Sequence, residues 1–258
     1  MVTHKKNEAF PLLLLLSAAL LVGGFVAGVP GVVAAPAPAE PAAAQIREPA
    51  AAPDRPLPAY KPRKDSVPRA RIGGPARGGE PGDPALVALV PDHVGLTLKS
   101  DPSLCWFLSR PTTQPLTLTI LDSRAIKPIL EATLPSPARP GLQCVHLRDH
   151  GITLKEREQY RWFVTLVLDP DKPSRDIVSG GMIERIPFSE GCALGLPCSW
   201  TCELDAVYQY AENGLWYDAI ACLLELIKAA PDDPLLLRVL DHLLKQSDIH
   251  LPPVRRAG

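Results

Sequence analysis

No cysteine precedes Cys105, and no charged residue lies between positions 10 and 39 of the 258-residue chain. The first absence excludes a lipid-acylated cysteine near the N-terminus. The second leaves a long apolar stretch without any charge to hold it in water. Motifs that carry chemistry are missing too. There is no His-Glu-x-x-His, no Gly-x-Ser-x-Gly and no Gly-x-x-x-x-Gly-Lys-Ser/Thr, so the metalloprotease, serine-hydrolase and P-loop arrangements are excluded. No Cys-x-x-Cys occurs, which removes a thioredoxin-like centre and a zinc knuckle. His93, His146, His150, His242 and His250 are scattered, with no two at metal-ligand spacing on one element. Asp169, Asp171 and Asp176 lack the glycine and glutamate of a calcium loop. The expected set of catalytic, cofactor-binding and metal-binding residues is therefore empty. Residues 85–258 carry a formal net charge of −4, which gives no electrostatic case for nucleic acid.

What is present divides into four parts. In residues 1–39, His4, Lys5 and Lys6 precede the apolar run Leu12–Val22, and small residues offer cleavage after Ala39 or Ala34. This reads as a signal peptide, with an uncleaved inner-membrane anchor as the alternative. Export to the periplasm or exterior of a Gram-negative bacterium is the expectation, with membrane contact only through this segment. Residues 40–84 are proline, alanine, glycine and arginine with almost no large apolar side chains, the composition of a disordered tether.

From residue 85 to 188, short runs rich in β-formers alternate with turn residues. Seven strands are expected: His93–Leu98, Leu104–Ser109, Leu116–Asp122, Ile126–Leu134, Leu142–Leu147, Tyr160–Leu168 and Asp176–Ile186. In Leu116–Ile120, apolar residues alternate strictly with threonine, so one face is buried. Leu154 and Tyr160, six apart before a strong strand, resemble the tyrosine corner of fibronectin type III and immunoglobulin-like domains. Trp106, Leu154, Tyr160 and Trp162 are the expected core. Gly180-Gly181 inside the last strand suggests a bulge. The predicted fold is mainly β, a seven-stranded fibronectin/immunoglobulin-like sandwich with an α appendage.

That appendage, with a cysteine-containing loop, occupies residues 189–258. Asn213-Gly214 divides Glu203–Ala230 into two helices, and Asp233-Pro234 caps a third over Leu235–Gln246. The spacing of Tyr210, Gly214, Trp216, Ala219, Leu223 and Pro231 is tetratricopeptide-like, and one copy is present. The acidic residues Glu203, Asp205, Glu212, Asp218 and Glu225 read as a solvated helix surface. Six cysteines are candidates for disulfides: Cys105, Cys144, Cys192, Cys198, Cys202 and Cys222. Cys105 and Cys144 both face outward on expected neighbouring strands, so they can pair. Cys192, Cys198 and Cys202 suggest a stapled loop, and Cys222 could meet Cys198 or Cys202. A four-cysteine metal site is the rival.

Several segments taken together carry a family resemblance: Arg71-Ile-Gly-Gly, Trp106-Phe, Tyr160-Arg-Trp and above all Tyr210-Ala-Glu-Asn-Gly-Leu-Trp-Tyr-Asp-Ala219. Over about residues 70–245 the chain resembles the bacterial exported family called domain of unknown function 928. The resemblance implies an exported protein of two parts, with no activity and no catalytic residues to carry over. The function expected is a non-catalytic envelope module that binds another envelope protein, through the sandwich edge or a groove beside Tyr210, Trp216 and Tyr217. The alternatives are a carbohydrate- or wall-binding module and an enzyme of unrecognised type. The sequence leaves the oligomeric state open.

Overall fold

Short, alternating runs can bury only one face each, so they must pair into sheets and pack face to face. The computed structural model describes residues 55–63, 70–73, 82–122, 124, 126–136, 138–193, 195–196 and 202–254. The expected signal segment, Cys198 and much of the expected tether lie outside these residues. Among the described residues eight strands are present: β1 Leu86–Ala88, β2 Gly95–Thr97, β3 Ser103–Leu108, β4 Leu116–Asp122, β5 Leu130–Thr133, β6 Gly141–His146, β7 Gln159–Leu166 and β8 Ile177–Arg185. They form a three-stranded sheet in the order β1-β3-β6 and a five-stranded sheet in the order β2-β8-β7-β4-β5. Every pairing is antiparallel except β2 with β8.

Burial follows the period of two. Tyr160, Trp162, Val164 and Leu166 of β7 are buried while their neighbours are half-exposed. Leu116, Leu118 and Ile120 of β4 join them. Trp106 and Leu154 are also buried, so all four expected core residues lie inside. The Tyr160 hydroxyl accepts the Lys155 N–H at 3.2 Å, beside the fully buried Leu154. Gly180-Gly181 does not form a bulge. The β7–β8 register runs through it unbroken, with Phe163 opposite Gly180 and Trp162 opposite Gly181. The glycines are needed for close approach: a Cβ on Gly180 would sit 2.0 Å from the Trp162 carbonyl oxygen, and one on Gly181 would meet Val90 at 2.9 Å.

Four helices follow among the described residues: α1 Phe188–Ala193, α2 Leu204–Glu212, α3 Trp216–Ala229 and α4 Pro234–Gln246. Asp233 caps α4, accepting the Leu235 and Leu236 N–H groups with one carboxylate oxygen. α3 packs against the sheets and covers the outer face of β3, which is why all six β3 residues are buried. Three consecutive residues at its start tie it down. Trp216 Nε1 donates to the Leu89 carbonyl at 2.8 Å. Tyr217 Oη accepts from Trp162 Nε1 at 2.8 Å and donates to the Met182 carbonyl at 3.0 Å. Asp218 accepts the Leu98 N–H at 2.8 Å and the Thr97 hydroxyl at 3.1 Å. The solvated-face expectation therefore fails for Asp218, which is 2% exposed.

The tether expectation also fails in part. Residues 55–63 and 70–73 dock on the fold. Tyr60 is 9% exposed, and Ile72 forms a bridge to Gly180. The physical reason is local. Tyr60 is the single aromatic residue between positions 40 and 84, and its burial, with the backbone hydrogen bonds of Tyr60 and Lys61 and the ordering already imposed by proline, offsets part of the strap's ordering entropy.

Cys105 and Cys144 lie directly opposite on β3 and β6 and form a disulfide. Cys105 does not face solvent as expected, because α3 covers that face and leaves it 3% exposed. The bridge closes a loop 39 residues long in sequence separation. Its replacement by Cys105→Ala with Cys144→Ala should lower stability by roughly 2–4 kcal/mol, read as a lower urea midpoint at unchanged slope. An unchanged midpoint would mean that the bridge constrains nothing.

Candidate functional site

The three aromatic residues expected to receive a partner are inside the protein. Tyr210 and Tyr217 are each 3% exposed and Trp216 is 0% exposed. Burial pushes the Tyr210 and Tyr217 hydroxyls up, as desolvation of a phenolate requires. The groove they would have formed is filled on one side by the sheets and on the other by Tyr60. The ring of Tyr60 meets Trp216 edge-on at 4.8 Å. Periodicity could show that these side chains share faces. It could not show that both faces of α3 would be covered.

The structure brings another surface into view. β6 ends the three-stranded sheet, and α3 passes beside it. Between them lies an apolar groove of about 510 Å³, with Leu142 and His146 on the strand side and Leu224, Ile227 and Pro231 on the helix side. The direction of the β6 backbone groups follows from two observations. The Cα atoms of Cys105 and Cys144 are 4.1 Å apart, the narrow separation of a pair that exchanges no hydrogen bonds. The Cys105 carbonyl is instead taken by the Leu89 N–H at 2.9 Å. By the alternation of the antiparallel ladder, Leu142, Cys144 and His146 turn their N–H and C=O groups away from β3, toward the open edge. Their side chains are the ones on the groove side. Ser103 Oγ and His146 Nδ1 are 2.7 Å apart. This contact and the neighbouring disulfide hold β6 firmly to β3.

A second, polar cleft of about 630 Å³ contains Lys99, Asp101, Arg148, Arg185, Cys202 and Glu225. Arg148 pairs with Asp101 at 3.2 Å, and Arg185 pairs with Glu156 at 3.2 Å. These charges are spent on one another. Cys202 hydrogen-bonds the Cys222 thiol, and that contact together with burial pushes Cys222 up. The sulfur of Cys222 also lies 3.9 Å from the Glu203 carbonyl. Of the two expected neighbours of Cys222, Cys202 lies beside it with both as free thiols, and Cys198 lies outside the described residues. Cys192 lies on α1, a helix that the stapled-loop reading did not anticipate. Among the described residues no cluster of histidine, cysteine or acidic side chains could hold a metal ion.

The model of one family, Domain of Unknown Function (DUF928), matches residues 72–252. The chain belongs to the DUF928 family. The matched span contains all eight strands and all four helices of the DUF928 fold described above. It also contains the β6–α3 groove, whereas residues 55–63 precede it. No curated protein matches the chain. Membership therefore identifies the fold unit that carries the groove, and it brings no chemistry with it.

Proposed function

We propose that this DUF928 protein is a non-catalytic interaction module of the bacterial envelope, and that it binds an extended segment of another envelope protein along β6. The observation that carries the reading is the open β6 edge, whose outward N–H and C=O groups lie beside an apolar groove. Strand addition needs those two elements: a row of unpaired backbone groups for affinity and a pocket for alternate side chains for specificity. A segment apolar at every second residue fits, since its side chains on one face would drop between Leu142 and Ile227. An unprotected edge is normally a liability. Here the disulfide fixes the strand, and α3 overhangs it.

The finer architecture supports the same reading. The order β1-β3-β6 and β2-β8-β7-β4-β5, with Tyr160 tied to the upstream backbone, supports the reading of a fibronectin/immunoglobulin-like sandwich. Gly214 at the turn and the fully buried Ala219 fit a tetratricopeptide-like hairpin, used here as packing rather than as a free groove. The Cys105–Cys144 disulfide suits an exported protein, and among the described residues no helix is long and apolar enough to cross a membrane. A carbohydrate-binding face draws less support. The exposed large apolar side chains among the described residues are Ile126, Ile129, Leu237 and Val254, and none can stack on a sugar.

The test is in-cell crosslinking from a photoreactive residue at Ile227, with Asp171 on an exposed loop as the control position. A discrete protein adduct at Ile227 that is absent at Asp171 is the expected result. Equal labelling at both positions, or none at Ile227, would sink the proposal.

A further inference from the structure

The strap formed by residues 55–63, Arg-Pro-Leu-Pro-Ala-Tyr-Lys-Pro-Arg, is held in the manner of a bound peptide. The side-chain amide of Gln246 at the end of α4 reads two of its backbone groups at once. Gln246 Oε1 accepts the Tyr60 N–H at 2.7 Å, and Gln246 Nε2 donates to the Pro58 carbonyl at 2.9 Å. The Lys61 N–H donates at 3.1 Å to the Ala211 carbonyl at the end of α2, which also accepts the Gly214 N–H. Pro58 is buried and Leu57 half-buried, and the large seated side chain is that of Tyr60. Its ring stacks on His93 at 5.7 Å and meets Trp216 edge-on, and its hydroxyl lies 2.8 Å from His93 Nε2. His93 is held in turn by Asp92, 3.0 Å from Nδ1. At the N-terminal end of the strap, Arg55 lies over the Tyr208 ring at 3.8 Å and pairs with Asp205. Gly214 keeps the floor low, since a Cβ there would come within 2.7 Å of the Lys61 carbonyl oxygen.

These contacts define a specificity. Backbone groups of an extended segment are read, prolines pre-set the extension, and a tyrosine two residues after a proline fills an aromatic pocket. This combination is how proline-rich segments are recognised. The family boundary gives the observation a direction. His93, Ala211, Trp216 and Gln246 all lie within the matched span 72–252, while the strap lies outside it. The receptor side thus lies inside the matched family span, and the occupant precedes it.

We propose that the groove lined by His93, Ala211, Trp216 and Gln246 is a peptide-binding site for Pro-x-Tyr segments, which residues 55–63 occupy in cis and which a partner's segment of the same chemistry takes when the strap lifts. It is separate from the β6 edge and stands on different residues. A tethered occupant competes at high effective concentration, so the intact chain should bind such a peptide weakly, and weakening the strap should reveal the site.

The probe is a fluorescent synthetic peptide with the sequence of residues 55–63, titrated by anisotropy into the full chain and its Tyr60→Ala variant. The variant should bind at least tenfold more tightly than the intact chain. The same peptide with alanine for tyrosine should not bind, and adding Gln246→Ala should weaken binding at least tenfold. Equal affinity of the intact chain and a natively folded variant would overturn the proposal, as would binding indifferent to the tyrosine. Hydrogen exchange on the intact chain gives a readout that needs no variant. The Tyr60 and Lys61 amides should exchange at least a hundredfold faster than those of Leu240 and Leu243 in α4, because the strap opens without the fold. Exchange at the same rate as α4 would mean that the strap leaves only on global unfolding, and the site would then be no more than a core contact.

Discussion

Trp216→Ala should lower the stability of the protein by about 3–5 kcal/mol, the range for deleting a fully buried large aromatic side chain. The indole is 0% exposed, donates a hydrogen bond to the Leu89 carbonyl, and forms one wall of the Tyr60 pocket. Its removal leaves a cavity where α3, the sheets and the strap meet. Urea denaturation reads the loss as a lower midpoint. The effect separates two readings of the same residue. A tryptophan that serves as an exposed docking anchor would change stability by less than about 1 kcal/mol, as surface substitutions do, while abolishing partner capture. A midpoint that stays put would therefore return Trp216 to the surface and overturn the packing described here.

The second large effect belongs to Asp218. Burial pushes its carboxyl up to about 6 from 3.8, against the hydrogen bonds from Leu98 and Thr97 that pull it down. The folded state then holds the proton more tightly than the unfolded chain does. For a carboxyl with a raised pKa, this contribution to stability is fully present below the unfolded value near 3.8 and is lost as pH rises through about 6. The slope in that window approaches about 1.4 kcal/mol per pH unit, and it flattens above it. Asp218→Asn cannot titrate, so its stability measured against pH should lack this component. The difference between the two proteins isolates Asp218 from other groups. Parallel curves would show that the carboxyl is hydrated. Asp218→Ala leaves the buried Leu98 N–H and the Thr97 hydroxyl without their acceptor but also removes the burial penalty of the ionised carboxylate, so its destabilisation should be larger at pH 4 than at pH 7.

Much of the two-sheet architecture was legible in the sequence because alternation and turn residues report directly on half-buried strands. The run Leu116–Asp122 was found with its observed bounds. The spacing of Leu154 and Tyr160 pointed to a tie that the hydroxyl makes. The pairing of Cys105 with Cys144 followed from strand faces. β1 was missed because three residues buried on both faces carry no alternation. α1 was missed because six residues in a cysteine-rich loop are too few for a helical period. Asp218 illustrates a deeper limit. An acidic residue in the first turn of a helix reads as solvated, and only the tertiary fold brings Thr97 and Leu98 against it.

The candidate site was the least legible part. The sandwich edge was named in general terms, but which strand stays open depends on strand order, which no local pattern encodes. Tyr210, Trp216 and Tyr217 looked like partner residues because they are aromatic and near a turn, and both sides of them are covered. The strap offered one clue, a lone tyrosine in a proline-rich segment otherwise without aromatics. The direction of the β6 backbone groups came from the 4.1 Å separation at the disulfide, a quantity invisible in sequence.

The most direct measurement removes one outward backbone donor and compares the result with Leu142→Ala, which loses the same groove side chain but keeps the N–H and should retain the adduct. Leu142→Pro deletes an N–H on the open side of β6 and leaves the β3-facing bonds of Gln143 and Val145 in place. With the photoreactive residue at Ile227, the account predicts that the partner adduct is lost in Leu142→Pro while the Cys105–Cys144 bridge and the circular dichroism spectrum are retained. An undiminished adduct from a natively folded Leu142→Pro protein would contradict strand addition along β6.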